Sequence, residues 1–119
     1  MAYDKDNIFA KILSGDIPCD KVYEDDFVLA FNDINPQAPT HVLVIPKGAY
    51  VSMDDFSATA SDAEIAGLIR GVGLVAKQLG LQNEGWRTLA NIGENGGQEV
   101  PHLHFHIFGG KPLGPMLYK

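Results

Sequence analysis

Three of the four histidines in this 119-residue chain fall within the run His102–Leu103–His104–Phe105–His106. Side chains alternate across an extended strand, so the three imidazoles share one face and Leu103, Phe105 and Ile107 share the other. A solvated strand face would draw on Lys, Glu, Thr and Ser as well, and three imidazoles in register point instead to chemistry. One chemistry is metal ligation, because His-x-His on a strand presents two zinc ligands. His102 and His106 stand four strand rises apart, roughly 13 Å, so one ion would take only two of the three. The third ligand would then be His41 or a carboxylate such as Glu94 or Glu99. The other chemistry is nucleophilic or acid–base work by a neutral imidazole. The histidines alone leave both open.

The segment before the triad, Gly93–Glu94–Asn95–Gly96–Gly97–Gln98, bears on what the imidazoles act upon. Gly93, Gly96 and Gly97 can adopt positive φ, which lets successive N–H groups converge on an anion. Joined directly to three same-face imidazoles, such a turn suggests a phosphate held beside a nucleophile or an acid. The formal net charge of -6 argues against a protein that tracks a nucleic-acid polymer, which needs Lys and Arg to displace counterions. It leaves room for a single small phosphate ligand.

These residues must be positioned by a modest set of elements. Ile8, Phe9, Ile12 and Leu13 recur at helical spacing from Asn7 to Ser14, with Asn7 as N-cap and Gly15 as the stop. Lys21–Glu24 and Phe27–Phe31 read as strands joined into a hairpin across Asp25–Asp26. Two prolines make Asn35–Thr40 a loop that feeds a buried strand, His41–Ile45, closed by Pro46. Ser61 and Glu64 form a capping-box pattern, and the stripe Ile65, Leu68, Ile69, Val72, Val75, Ala76 and Leu79 continues a long helix to Gly80. Gly67, Gly71 and Gly73 each weaken that helix, by up to about 1 kcal/mol relative to Ala, so close packing against a sheet or a partner helix is expected. Trp86–Ile92 and His102–Phe108 read as the last two strands, and residues 110–119 as an irregular tail. The expected fold is α+β: an antiparallel sheet of about five strands with one long and one short helix, in a single domain over residues 1–119. Cys19 reads as a small packing residue, Trp86 as strand packing and Asp54–Asp55 as a solvated turn.

Hydrophobic residues make up 45% and charged residues 20%, ordinary globular proportions. Cys19 has no partner for an internal disulfide, which fits a reducing compartment. Met1 to Asp6 lacks an apolar signal core, and the longest strongly apolar run, Val42–Ile45, is far short of the ~20 residues of a membrane span. The expectation is a soluble cytoplasmic protein without membrane association.

The run from Gly96 to Phe108 resembles the signature of the histidine triad (HIT) superfamily, His-x-His-x-His followed by two apolar residues. Ile8–Phe9, Asp33–Ile34, Pro36–Gln37–Ala38–Pro39–Thr40–His41 and Val44–Ile45–Pro46–Lys47 resemble its Hint branch, and Glu99 with Lys111–Met116 is similar to bacterial members. The resemblance covers nearly the whole chain. It implies a homodimer that binds purine nucleoside monophosphates and hydrolyses the phosphorus–nitrogen bond of nucleoside 5′-phosphoramidates, with no metal or other cofactor. His104 would attack the α-phosphorus to give a nucleotidyl-histidine that water then cleaves. His102 would orient the centre or move protons, His106 would contact the phosphate, and His41 would support the cluster. The same resemblance sets Asn91, Gly97 and Gln98 around the phosphate, Glu99 near the leaving group and Asp33 on both ribose hydroxyls. Ile8, Phe9, Ile12, Ile17, Phe31, Ile34 and Leu43 would hold the base. Hydrolysis of dinucleoside polyphosphates, nucleotidyl transfer, and a nucleotide-binding regulatory module without turnover are the alternatives. Glu99 replaces a serine of animal members, which implies a preference among leaving groups. Pro101 stands where an aromatic residue is common.

Overall fold

A computed structural model describes residues 2–117; Met1, and Tyr118 and Lys119 at the end of the expected irregular tail, lie outside the described residues. Helix α1 (Ile8–Ser14) begins where the Asn7 side chain accepts from the Ala10 N–H, and it ends at Gly15, whose φ of 87° is left-handed. Strands β1 (Lys21–Glu24), β2 (Val28–Asn32) and β3 (Thr40–Pro46) follow. Then come α2 (Met53–Thr59), α3 (Asp62–Gln78), β4 (Arg87–Leu89), the single helical turn α4 (Gly93–Gly96) and β5 (Phe105–Gly109). The five strands form one antiparallel sheet in the order β1-β2-β3-β5-β4. Among the described residues, no helix is long and apolar enough to cross a membrane.

The register divides the sheet's two faces. Phe31 pairs with Leu43, and Leu43 with His106, so these three stand in a row on one face. Ala30, Val44 and Phe105 form the matching row on the other. That second face carries the main core: Val28, Ala30, Val42, Val44, Leu103 and Ile107 meet Phe56 of α2 and Leu68, Val72 and Val75 of α3. The first face carries a smaller cluster, Phe9, Leu29, Phe31, Leu43 and Ile45, and it is here that α1 docks. Leu103, Phe105 and Ile107 therefore do face the core, with the histidines on the opposite side.

The glycines of α3 explain how the helix sits so close to the sheet. A Cβ on Gly71 would lie 2.8 Å from Val28 Cγ2, and one on Gly67 would lie 2.4 Å from Phe27 Cγ. Both are close-approach positions, as expected. At Gly73 nothing within 4 Å would meet a Cβ.

Three readings need correction. Asp54–Asp55 is not a solvated turn but the first turn of α2: the Ser52 side chain caps the Asp54 N–H, and Asp55 accepts from the backbone of Val51 and Ser52 at 2.8 Å each. The short run 53–59 buries only Phe56, too little apolar periodicity to reveal a helix. The glycine-rich turn is the helical turn α4, with positive φ at Gly93 and Gly97 and not at Gly96. The last two strands are also shorter than expected. The His102 N–H donates to the Val100 carbonyl and the Leu103 N–H to the Tyr50 carbonyl, so the backbone joins the ladder only at Phe105. Trp86 lies just before β4 and packs half-buried on the core.

Candidate active site

Two adjoining cavities on the α1 face of the sheet meet at the triad histidines. The larger, about 290 Å³, is walled by Ile8, Phe9, Ile12, Ile17, Phe31, Ile34 and Leu43 and floored by His104 and His106. The smaller, about 160 Å³, is lined by Asp33, Asn35, Gln37, Asn91, Gly97, Glu99, His104 and His106. Asp33, Asn35, Glu99 and the two histidines belong to both. An apolar slot thus runs into a polar end, and the imidazoles stand where they meet. Thermodynamically this suits a ligand with a flat apolar part and an anionic or hydrogen-bonding part.

The hydrogen bonds fix which nitrogen of each ring carries a proton. His104 Nδ1 lies 2.7 Å from the His102 carbonyl oxygen, which only accepts, so Nδ1 is protonated. Burial lowers the pKa of His104, so the ring is neutral and its Nε2 holds a free lone pair. Phe9 meets the ring edge-on at 5.0 Å between centroids and restrains its tilt. His102 is fully buried, and its Nε2–H donates to the Pro46 carbonyl at 2.9 Å.

His41 and His106 form a second chain. The Gln37 backbone N–H donates to His41 Nδ1 at 3.2 Å, which leaves the His41 proton on Nε2. That nitrogen lies 2.9 Å from His106 Nδ1 and 3.4 Å from Asp33 Oδ2. His106 Nδ1 is therefore an acceptor, and the His106 proton sits on Nε2. Among the described residues, His106 Nε2 is the one buried side-chain polar atom with no partner. Burial, reinforced by the neighbouring His104 and His41, pushes the pKa of His106 down to about 4. His41 and His102 are also lowered, chiefly by burial. All four rings are neutral at neutral pH.

The HIT domain profile matches residues 14–113. The chain belongs to the HIT domain family. A purine nucleoside phosphoramidase of Escherichia coli K12 is 46% identical over 113 residues, covering 95% of this chain and 94% of that protein. An uncharacterized HIT-like protein of Azospirillum brasilense is 64% identical over 117 residues, 98% of this chain and 96% of its own. Among solved structures, a histidine triad protein from Clostridium difficile superposes with a TM-score of 0.84 at 45% identity, covering 98% of this chain and all of that one. A HIT family hydrolase from Clostridium thermocellum gives 0.86 at 36% identity, covering 97% and 99%.

Within this HIT domain, nearly all the residues singled out in the sequence converge on the two cavities. His41 stands behind His106 and His102 behind His104, each one layer from the opening. Gln98 is turned away: its amide donates to the Val51 and Val100 carbonyls at 2.6 and 3.0 Å, and its oxygen accepts from the Gly93 N–H at 3.1 Å. It braces the α4 loop from behind. Asn35, the Gln37 N–H, the Pro46 carbonyl and Tyr3 were not singled out. The backbone groups carry no side-chain signal, and a lone Tyr near a terminus carries none either. Cys19 lines the larger cavity with its thiol pKa raised by burial, the opposite of an activated nucleophile.

Asp33, His41 and His106 each offer one ligand atom within 4.8 Å of the others, a spacing that would suit a metal ion. The donors do not fit one. Ligation would require His41 Nε2 to lose its proton to Nδ1, which would then confront the Gln37 N–H at 3.2 Å, donor against donor.

Proposed function

We propose that this HIT domain is a hydrolase of purine nucleoside 5′-phosphoramidates acting through a nucleotidyl-His104 intermediate. The observation that carries the reading is the 2.7 Å bond from His104 Nδ1–H to the His102 carbonyl, which leaves an unprotonated Nε2 at the junction of the apolar and polar cavities. The names of the E. coli phosphoramidase and the C. thermocellum hydrolase support the same class.

In this reading the base lies between Phe9, Ile12, Ile17, Phe31 and Leu43, and the Asp33 carboxylate accepts from the two ribose hydroxyls. A phosphate oxygen takes the vacant His106 Nε2–H. His104 Nε2 then forms a bond to phosphorus as the phosphorus–nitrogen bond breaks, and the amine leaves with the electron pair and takes a proton from solvent, which the attacking water later returns. Water attacks the same phosphorus, the nucleoside monophosphate departs and His104 recovers its lone pair. Asn91 and Gly97 flank the phosphate, and Glu99 faces the amine. Two copies pair through α3, where Ile69 and Leu74 stand exposed, and through the free edge of β4.

The test is hydrolysis of an adenosine 5′-phosphoramidate carrying a fluorescent amine, by wild type and His104→Ala, each with and without chelator. Turnover that survives chelation and vanishes in the variant, with AMP affinity kept within about tenfold, is expected, since the substitution removes covalent chemistry and few ground-state contacts. Equal loss of binding and turnover would contradict the nucleophile role, and an inactive wild type would leave a binding module.

A further inference from the structure

The N-terminal segment reaches the triad from the side opposite the sheet. Tyr3 Oη lies 2.6 Å from His102 Nδ1, and the two rings meet edge-on with centroids 5.6 Å apart. The His102 Nε2–H is already committed to the Pro46 carbonyl, so Nδ1 is a lone pair and the tyrosine hydroxyl donates to it. Tyr3 is held in place by the cap of α1. Asn7, 5% exposed, caps the helix with its oxygen and ties the Asp4 carbonyl with its Nδ2 at 2.7 Å and its backbone N–H at 3.2 Å. The Asp6 N–H in turn donates to the Asp4 carboxylate at 2.9 Å. The residue next to Tyr3 is therefore anchored at both its carbonyl and its side chain.

We propose that Tyr3 is a positioning residue for the nucleophile: its hydroxyl pins the second nitrogen of His102, and so fixes the carbonyl that receives the His104 Nδ1–H. The chain of contacts is continuous. Tyr3 donates to the His102 ring, the His102 ring donates to Pro46, and the His102 backbone carbonyl accepts from His104. The bond to Pro46 leaves rotation about its own axis to be resisted by packing alone, and the bond to Tyr3 on the opposite nitrogen restrains it directly. The same segment leads into α1, whose Phe9 packs against both His102 and His104, so the wall of the apolar cavity and the brace of the nucleophile are one stretch of chain. Small displacements of a reacting nitrogen weigh heavily on rate and lightly on ground-state binding.

The inference rests on His104 being the nucleophile, and its test separates the two claims. Tyr3→Phe keeps the ring contact and removes only the hydroxyl. At pH 7, ¹⁵N spectra of the imidazoles should show His102 Nδ1 moving downfield toward an unbonded lone-pair nitrogen with Nε2 still protonated, and faster solvent exchange of the His104 Nδ1 proton. On the phosphoramidate substrate kcat should fall about tenfold with KM within about twofold, without loss of thermal stability beyond a few degrees. An unmoved His102 Nδ1 resonance would show that the hydroxyl makes no such bond, and a moved resonance with unchanged His104 proton exchange or unchanged kcat would end the positioning role. If the wild type turned over no phosphoramidate, the functional reading would fail while the two spectral signatures still decided whether Tyr3 orders His104.

Discussion

His41 Nε2 lies 2.9 Å from His106 Nδ1, and the direction of that bond is set by the Gln37 backbone N–H on the far side of the His41 ring. One main-chain donor in a proline-flanked loop thereby decides that His106 presents a proton, not a lone pair, on its Nε2. Replacing His41 with Ala frees His106 to carry its proton on either nitrogen. Phosphoramidate turnover should fall at least tenfold, the worth of one ordered hydrogen bond of about 1.4 kcal/mol, while AMP affinity drops less than threefold. Steady-state kinetics and calorimetric titration read the two separately, and a parallel loss of both would mean that His41 acts on binding.

Glu99 lines both cavities, and its charge bears on His104. A carboxylate at the mouth of the polar cavity should favour cationic amine leaving groups and repel acidic ones. For Glu99→Ser, the ratio of kcat/KM between a lysine-like and an aspartate-like phosphoramidate should fall by about thirtyfold, since roughly 1 kcal/mol of water-screened attraction to the one leaving group and the same repulsion from the other are both lost, about 2 kcal/mol together. An unchanged ratio would remove Glu99 from specificity.

Much of this arrangement was legible in the sequence, for identifiable reasons. Alternation set Leu103, Phe105 and Ile107 against the core, and the Asn7 and Ser61 caps marked the starts of α1 and α3. The convergence of Ile8, Phe9, Ile12 and Ile17 with Phe31 and Leu43 was not readable from periodicity, since each would serve equally as core, and only resemblance separated them. The residues standing behind the cavity lining were the least legible. Gln98 looks like a ligand by type, yet its amide satisfies three backbone groups, and that choice depends on where Val51 lies. Helix α2 was missed because its start is written in a side-chain cap, Ser52 with Asp55, and hardly at all in apolar spacing.

The four histidines are buried or half-buried and neutral, with pKa values below the ordinary imidazole range. Between about 6.5, where the unfolded imidazole titrates, and about 4, where folded His106 does, the unfolded chain binds more protons than the folded one. Stability is therefore full above that window and declines as pH falls through it. The His106 contribution alone should be on the order of 2–3 kcal/mol by pH 4, allowing for its partial exposure. Urea melts at pH 7, 5.5 and 4.5 should give a falling midpoint that flattens in His106→Asn; a midpoint independent of pH in the wild type would mean that the histidines are solvated.

The three glycines of α3 make different predictions because they face different things. Gly71→Ala should destabilise the fold by about 1–3 kcal/mol, since the new methyl meets buried Val28 at 2.8 Å and neither can retreat. Gly73 faces open space within the chain, where Ala alone would stabilise the helix by up to about 1 kcal/mol. It shares the outer face of α3 with Ile69, which is 57% exposed. If copies pair through this face, Gly73 is where the helices approach, and a bulky side chain there is intolerable to the dimer and harmless to the protomer. Sedimentation velocity at micromolar concentration should therefore show a wild-type dimer and a folded Gly73→Trp monomer. A wild-type monomer would refute the assembly outright, and a Gly73→Trp dimer would move the contact elsewhere on the surface.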